Sequence, residues 1–168
     1  MRHGLGSEHP LCDKIQLLML VLFFAFWVAD TAGYFVFGFS TVVLHVLAFP
    51  ALFLIMIPLL CLSFVLVFKS HKAVLEQAHD FPALVDSGVY AWVRHPMYLG
   101  TLLSCLSFLF ISFSLLSIGI WIVFFVFYDK MATYEEKDLV RILGKEYIAY
   151  QKRVPKWFPR TKLKLSRK

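Results

Sequence analysis

The sequence predicts an all-α integral membrane protein with about four transmembrane helices and a C-terminal helix at the membrane interface. The chain has 168 residues, is 60% hydrophobic and contains 18 Phe, which is too apolar for an ordinary soluble domain. Residues 15–29, 31–68 and 96–128 contain no Asp, Glu, Lys or Arg. Since a membrane-spanning helix needs about 20 apolar residues, these stretches predict membrane spans.

The apolar sequence in the first 68 residues is too long for one crossing and suits two. Residues 38–40, Gly-Phe-Ser, form the expected turn. The predicted spans are therefore residues 14–37 and 41–68, and Pro50 and Pro58 are expected to kink the second. A cleaved signal peptide is disfavoured, because the apolar sequence continues well beyond the length of such a leader.

The third uncharged stretch is predicted to fold back on itself. As one helix, residues 96–128 would be about 50 Å long, against a hydrocarbon core of about 30 Å. The sequence Ser-Phe-Ser at residues 112–114 is the expected turn. The predicted arms, residues 97–112 and 115–131, are short, so they should tilt or thin the bilayer locally.

The basic residues predict which side of the membrane each segment faces. Residues 1–14, 69–95 and 129–168 hold all 17 Lys and Arg residues, and the two turns hold none. The positive-inside rule then places both termini and the polar connection 69–95 in the cytoplasm. The last 28 residues are strongly basic, which nucleic acid or anionic lipid could explain. Because this segment follows a membrane span, we expect lipid and no nucleic acid.

Residues 134–152 are predicted to form an amphipathic helix lying at the interface. Trp157 and Phe158 beyond it suit the headgroup layer. The three cysteines have no metal-ligand spacing, so no metal is expected. No repeat or linker divides the chain, which indicates a single domain over residues 1–168. The apolar face of the predicted helix consists of Leu139, Leu143, Tyr147, Tyr150 and Val154.

The stretch GVYAWVRHPMYLG, residues 88–100, concentrates polar groups at the start of the third span. Pro96 suits the first helical position, because its missing N–H would be unpaired there anyway. The N–H groups of that first turn attract an anion, and Arg94 adds a charged, forked donor. The stretch is equally typical of an interfacial anchor, with Arg reaching the headgroups and aromatic rings forming a belt. Its residues alone leave both interpretations open.

Two longer blocks decide between them. LVDSGVYAWVRHPMYLG, followed about 35 residues later by EEKDLVRILGKEYIAYQKRVP, closely resembles the isoprenylcysteine carboxyl methyltransferase family. The related phospholipid methyltransferases share the same general plan. The resemblance covers residues 84–155, with Leu143 where Phe is usual. Members of the family are membrane-embedded methyltransferases that use S-adenosylmethionine without a Rossmann fold, so the absence of a GxGxxG motif is expected.

The resemblance also implies a set of site residues. Arg94, His95 and Glu135 are the expected catalytic residues, with Glu135 closing the cofactor pocket and Arg94 orienting a group or binding a carboxylate. Glu136 is expected to be a solvated residue at a helix start. Asp30, inside the first span, should pair or face a cavity. The expected cofactor-binding residues are Leu84, Val85, Tyr90, His95, Pro96, Met97, Tyr98 and Glu135.

One departure from the family bears on the methyl acceptor. Members that methylate a prenylcysteine carboxylate typically carry Arg four residues before the Glu that corresponds to Glu135, and here that position is Met131. A buried carboxylate needs a compensating cation, which Lys130 or Arg94 would have to supply. The prenylcysteine carboxylate remains the leading candidate, and a phospholipid amine or a thiol that loses its proton to His95 is the alternative. A non-catalytic membrane scaffold and a sterol-type membrane reductase are the competing functions.

Overall fold

The computed structural model describes residues 10–38, 49–77, 84–112 and 114–159. These ranges contain five α-helices and no β-strand, in agreement with the all-α prediction. A 3₁₀ turn at Gly88–Ala91 precedes the third helix. The helices are α1 (Pro10–Phe37), α2 (Phe49–Gln77), α3 (Pro96–Ser112), α4 (Leu115–Leu143) and α5 (Lys145–Arg153).

Three of the described helices, α1, α2 and α4, are long and apolar enough to cross a membrane. The fourth apolar helix, α3, has 17 residues and is shorter. The end of α1 agrees with the predicted span. By contrast, α2 continues past residue 68, so the predicted polar connection begins as a helix whose exposed Lys72 and Glu76 are paired. The predicted first turn at residues 39–40 and the start of the second span lie outside the described residues.

The end of α3 and the start of α4 agree with the predicted hairpin of residues 97–131. Pro96 is the first residue of α3, as expected, and α3 ends at Ser112. The hydroxyl of Ser114 caps α4 by accepting the backbone N–H of Ser117 over 3.1 Å, which satisfies one of the free donors of the first helical turn. The indole of Trp121 donates to the carbonyl of Leu102 over 2.9 Å, so the two helices pack side by side.

The prediction of a separate helix over residues 134–152 is wrong. Helix α4 continues without a break from the apolar sequence to Leu143, for 29 residues in all, because nothing near residue 131 stops it. The break comes at Gly144, whose φ of 57° is a conformation that glycine adopts at little cost. α5 follows at Lys145 and has only nine residues. The second arm of the hairpin is therefore much longer than predicted.

The apolar face of this C-terminal region is covered by the chain itself. Tyr147, Tyr150 and Val154 are buried, and Leu84 packs against them together with the last turns of α4. Trp157 is 8% exposed, so its side chain packs against the protein itself, and its place at the headgroup layer stays a prediction. Phe158 is 74% exposed. Helix α5 and the loop after it therefore pack on the rest of the protein, and their place at the membrane interface stays a prediction.

The main core lies where α1, α3 and α4 meet, and α2 packs along α3. In α1, the carboxylate of Asp30 accepts a hydrogen bond from the hydroxyl of Ser114 over 2.6 Å, so the expectation that Asp30 pairs is confirmed. At its other end the core includes Tyr98, Tyr128 and Trp157. These aromatic side chains support the segment that holds Arg94, His95 and Pro96. We call these three residues the RHP motif.

Candidate functional site

A cleft lies between the end of α2, the segment from Leu84 to Tyr98, the C-terminal half of α4, and α5. It holds about 120 Å³ and opens to the outside. That volume is below the roughly 300–1,000 Å³ of sites that enclose a drug-sized ligand, so a larger ligand would extend through the mouth. Five residues not named from the sequence as ligands also line it: Val74, Leu139, Leu143, Tyr147 and Tyr150.

The structure brings nearly all of the expected site residues to this cleft. Pro96 is the exception, since it is buried and starts α3 without lining the cleft. Its fixed φ sets the start of the helix, which in turn places its neighbours. The expected residues that do line the cleft are Leu84, Val85, Tyr90, Arg94, His95, Met97, Tyr98 and Glu135.

The imidazole of His95 stands between the two acids of α4. Its Nε2 is 2.9 Å from Oε1 of Glu136, and its Nδ1 is 3.6 Å from Oε2 of Glu135. The ring lies parallel to that of Tyr98, with centroids 5.5 Å apart, and Trp157 packs nearby. His95 is 6% exposed, so these contacts fix the plane of the ring and turn one edge toward Glu135.

Glu136 is the residue whose expected position is wrong. Its side chain is 11% exposed and lies 3.3 Å from the guanidinium of Arg94, whereas the sequence interpretation made it a solvated residue. The amide of Gln151 in α5 donates to its second oxygen over 3.1 Å. Adjacent acids on a helix point about 100° apart, so the two could be expected to differ in surroundings, but the sequence does not show which sides of α4 are covered.

Glu135 lines the cleft with a side chain that is 25% exposed. Of the two acids, it is therefore the one that a ligand in the cleft can reach. Arg94 also lines the cleft, and its Nε is buried without a hydrogen-bond partner among the described residues. The cleft thus offers one accessible carboxylate and one unused, charged N–H donor, which suits a ligand that carries charges of both signs.

Three contacts join the RHP segment to the C-terminal segment. The backbone N–H of Arg94 donates to the carbonyl of Pro155 over 3.0 Å. The hydroxyl of Tyr150 donates to the carbonyl of Tyr90 over 2.7 Å. An exposed ion pair joins Arg153 to Asp86. The two sequence blocks that carry the family resemblance are therefore two walls of the same cleft.

A second cluster fastens the C-terminal segment to α4. The Nζ of Lys156 donates to the carboxylate of Asp129 over 2.6 Å and to the hydroxyl of Thr133 over 2.7 Å. The indole N–H of Trp157 donates to the same Asp129 carboxylate over 2.8 Å. We call Asp129, Lys156 and Trp157 the latch. Because the ring of Trp157 packs near the His95 ring, the latch helps to hold His95 in place.

Tyrosines make up much of the cleft wall. Burial raises the pKa of Tyr147 far above its ordinary value, and the neighbouring carboxylates of Glu136 and Glu135 raise that pKa further. Burial likewise raises the pKa of Tyr150. Both phenols are consequently neutral at physiological pH. Neutral, electron-rich rings beside an acid favour a cationic ligand group.

At the position where the family usually has Arg, this chain has Met131, and its surroundings are apolar as well. Met131 packs against the main core. Lys130 is exposed and does not line the cleft. Arg94 is the cation that does line it. Of the two substitutes considered from the sequence, the geometry favours Arg94.

Comparison with known proteins agrees with the two-block resemblance. The family profile described as phospholipid methyltransferase matches residues 46–146, which is more than half of the chain. The chain belongs to the phospholipid methyltransferase family. The matched region includes α3 and α4 with the RHP motif and both acids. It therefore contains most of the cleft.

Several curated relatives are similar over about half of the chain. Protein-S-isoprenylcysteine O-methyltransferase from Homo sapiens is 33% identical over 97 residues, covering 53% of this chain and 32% of the relative. The Schizosaccharomyces pombe protein of that name is 37% identical over 81 residues, covering 45% and 33%. The one from Saccharomyces cerevisiae is 36% identical over 86 residues, covering 51% and 36%.

In each of these comparisons the match spans about a third of the relative's length. No solved structure matches the chain significantly. The likeness thus concerns the region that builds the cleft, and the activity of the whole relatives passes to this chain only as a proposal.

Proposed function

We propose that the protein is an integral membrane methyltransferase that uses S-adenosylmethionine and acts on a lipidic acceptor. The observation that carries the proposal is the position of Arg94 and Glu135, which face one cleft whose other wall consists of tyrosines. The family membership and the names of the relatives support it. In the proposed topology, α1 to α4 all cross the membrane and the cleft faces the cytoplasm with both termini.

The residues of the cleft fit the cofactor's polar end. That end carries an α-carboxylate, an ammonium group and a sulfonium. The Nε of Arg94, which lacks a partner among the described residues, suits the carboxylate, and the accessible acid of Glu135 suits the ammonium group. The rings of Tyr90, Tyr98 and Tyr147 suit the positive charge of the sulfonium. Leu84, Val85 and Met97 would contact the less polar remainder.

When bound, the cofactor supplies an electrophilic methyl group. The protein's contribution is to hold the two reactants in line and to exclude water. Glu135 and Arg94 orient the polar end, and the apolar residues Leu139 and Leu143 keep water from the inner wall. Nδ1 of His95, on the edge turned toward Glu135, can take a proton from an acceptor that must lose one.

For the acceptor we propose a prenylcysteine-type carboxylate as the first candidate, because the relatives carry that activity in their names. Arg94, which also suits the cofactor's carboxylate, would then have to supply the cation that Met131 does not. A phospholipid amine or a thiol is the alternative, and the commitment of Arg94 to Glu136 at 3.3 Å favours it. A labelled-methyl transfer assay with a prenylcysteine analogue, phosphatidylethanolamine and a small thiol separates these acceptors.

Cofactor binding is the direct test of the proposed function. We expect calorimetry in detergent to show binding of S-adenosylmethionine, weakened at least about tenfold by Glu135→Ala and by His95→Ala, since a charged contact contributes about 1.5–3 kcal/mol. The matched control is Glu76→Ala, which removes an exposed acid outside the cleft. Affinity unchanged in both site variants would remove the assignment. An absence of binding in the native protein would favour the scaffold, and stabilisation by a nicotinamide cofactor instead would favour the reductase.

A further inference from the structure

Glu136 is a buried acid that contacts the site without lining the cleft. Its Oε1 faces Nε2 of His95 at 2.9 Å and the guanidinium of Arg94 at 3.3 Å. Its Oε2 accepts the side-chain amide of Gln151 over 3.1 Å. One carboxylate thus joins two residues of the RHP motif to α4 and α5.

A carboxylate in this position determines how the histidine is protonated. It has only acceptor oxygens, so the histidine nitrogen that faces it at 2.9 Å must carry the proton. In a histidine, the hydrogen bond made by one ring nitrogen sets the role of the other. Nε2 is therefore the protonated nitrogen, and Nδ1 is the nitrogen that exchanges protons on the side of Glu135.

We propose that Glu136 is a positioning residue that fixes the Nε2-protonated form of His95 and presents Nδ1 to the cleft. Gln151 donates to the other oxygen of Glu136, so that the carboxylate cannot turn away from the His95 ring. The stacked ring of Tyr98 on one side and Trp157 nearby prevent the imidazole from flipping to a different hydrogen-bonding arrangement.

The charged groups near the imidazole come from three parts of the chain. Glu135 and Glu136 lie on α4, Arg94 precedes His95, and the Asp129–Lys156 pair lies behind the ring. Of these, Glu136 alone is within hydrogen-bond distance of a ring nitrogen among the described residues. The removal of its charge should therefore alter His95 more than any other single change in this group.

The first test needs neither cofactor nor acceptor. In protein labelled with ¹⁵N-histidine, we expect the signals of the neutral His95 ring to show Nε2 protonated and Nδ1 unprotonated, with assignment by their loss in His95→Gln. In Glu136→Gln, the side chain can donate as well as accept, so we expect Nε2 to lose its fixed proton and the ring to populate both neutral forms. A native protein in which Nδ1 is the protonated nitrogen of the neutral ring would overturn the inference, even if the variant does not fold.

The second test is kinetic and rests on the proposed methyl transfer. With an acceptor that must lose a proton, the phospholipid amine or the thiol, we expect Glu136→Gln to lower kcat at least about tenfold and to shift the pH profile of kcat, since a positioned proton acceptor contributes about 10²–10⁴-fold. The KM for S-adenosylmethionine should change less than kcat does, because Glu136 itself does not line the cleft. Glu136→Asp, which keeps the charge, should recover part of the rate and restore the native pH profile.

Glu146→Gln is the matched control, since Glu146 is an exposed acid in the first turn of α5, and its kinetics and histidine spectrum should equal those of the native protein. With an amine or thiol acceptor, a Glu136→Gln protein that keeps the native pH profile would overturn the inference. If the native protein transfers no methyl group, the proposed function fails while the spectroscopic test still decides the role of Glu136.

Discussion

The hydroxyl of Tyr150 in α5 donates to the backbone carbonyl of Tyr90 over 2.7 Å, across 60 residues of sequence. Both residues line the cleft, so this bond closes one wall of the site. It joins the 3₁₀ turn before α3 to the last helix, two elements that share no covalent connection nearby.

We expect Tyr150→Phe to destabilise the protein by about 1–1.5 kcal/mol, because the carbonyl of Tyr90 loses its partner in a partly buried place. Thermal unfolding in detergent measures the change. Tyr134→Phe is the control, since Tyr134 is 59% exposed and its substitution should change stability by less than about 0.5 kcal/mol. Equal melting temperatures for Tyr150→Phe and the native protein would show that the bond contributes nothing.

The latch should hold the C-terminal segment in place. In Asp129→Ala, the buried indole N–H of Trp157 and the Nζ of Lys156 both lose an acceptor, and we expect a loss of about 1–3 kcal/mol in the free energy of unfolding. Trypsin should then cut faster after Lys152 and Arg153, since the segment is less firmly held. Cleavage times at these sites measure the effect.

Glu76→Ala serves as the control for the latch. It removes an exposed acid whose ion pair with Lys72 lies on the surface of α2, and such a pair contributes less than about 1 kcal/mol. Its cleavage rate after Lys152 should equal that of the native protein. If Asp129→Ala is cleaved no faster than Glu76→Ala, the latch does not hold the segment.

Tyr147 gives the protein a sensitivity to alkaline pH. Its pKa is raised in the folded protein, whereas the unfolded chain has the ordinary value of about 10. Below that value both states are neutral, and above it the unfolded state gains stability by losing a proton that the folded state keeps. The stability of the native protein should therefore fall as the pH rises above about 10, and the stability of Tyr147→Phe should fall less. Parallel melting curves of the two proteins at pH 8 and 10.5 would contradict this.

Local chemistry allowed the start of the site to be predicted from sequence. The proline at residue 96 and the serines flanking Phe113 have backbone or capping preferences that act within a few residues. The start of α3 and the bounds of the α3–α4 turn follow from those preferences. The resemblance of the two sequence blocks then named eight cofactor residues, seven of which line one cleft. Their roles stay a prediction.

Tertiary contacts account for what sequence reasoning missed. Glu136 has the same composition signal as Glu135, and only the position of Arg94 and His95 beside α4 shows that it is buried. The burial of Trp157 was not predicted either, because it depends on Asp129, 28 residues earlier in the chain, whose carboxylate accepts the indole N–H. The length of α4 was missed because the interpretation ended the helix where apolar sequence ends, although charged residues continue a helix readily.

The close contact between α2 and α3 leaves no room for a side chain at one glycine of α3. At Gly100 in α3, an added Cβ would lie 2.7 Å from Cγ2 of Val67 and 3.1 Å from the carbonyl oxygen of Ser63. The hydroxyl of Ser63 also donates to the carbonyl of Gly100 over 2.7 Å. The helices are therefore too close for a methyl group at this position unless they separate.

Gly100→Ala should consequently destabilise the protein by about 1–3 kcal/mol, the usual cost of overpacking a core. Gly119→Ala is the matched control, because Gly119 lies in α4 with nothing within 4 Å of an added Cβ. A helical alanine there should leave stability unchanged or raise it by up to about 1 kcal/mol. Thermal unfolding of both variants in the same detergent measures the difference. Since both changes add one methyl group to an apolar helix, equal shifts for the two would mean that α2 and α3 are not packed as closely as described.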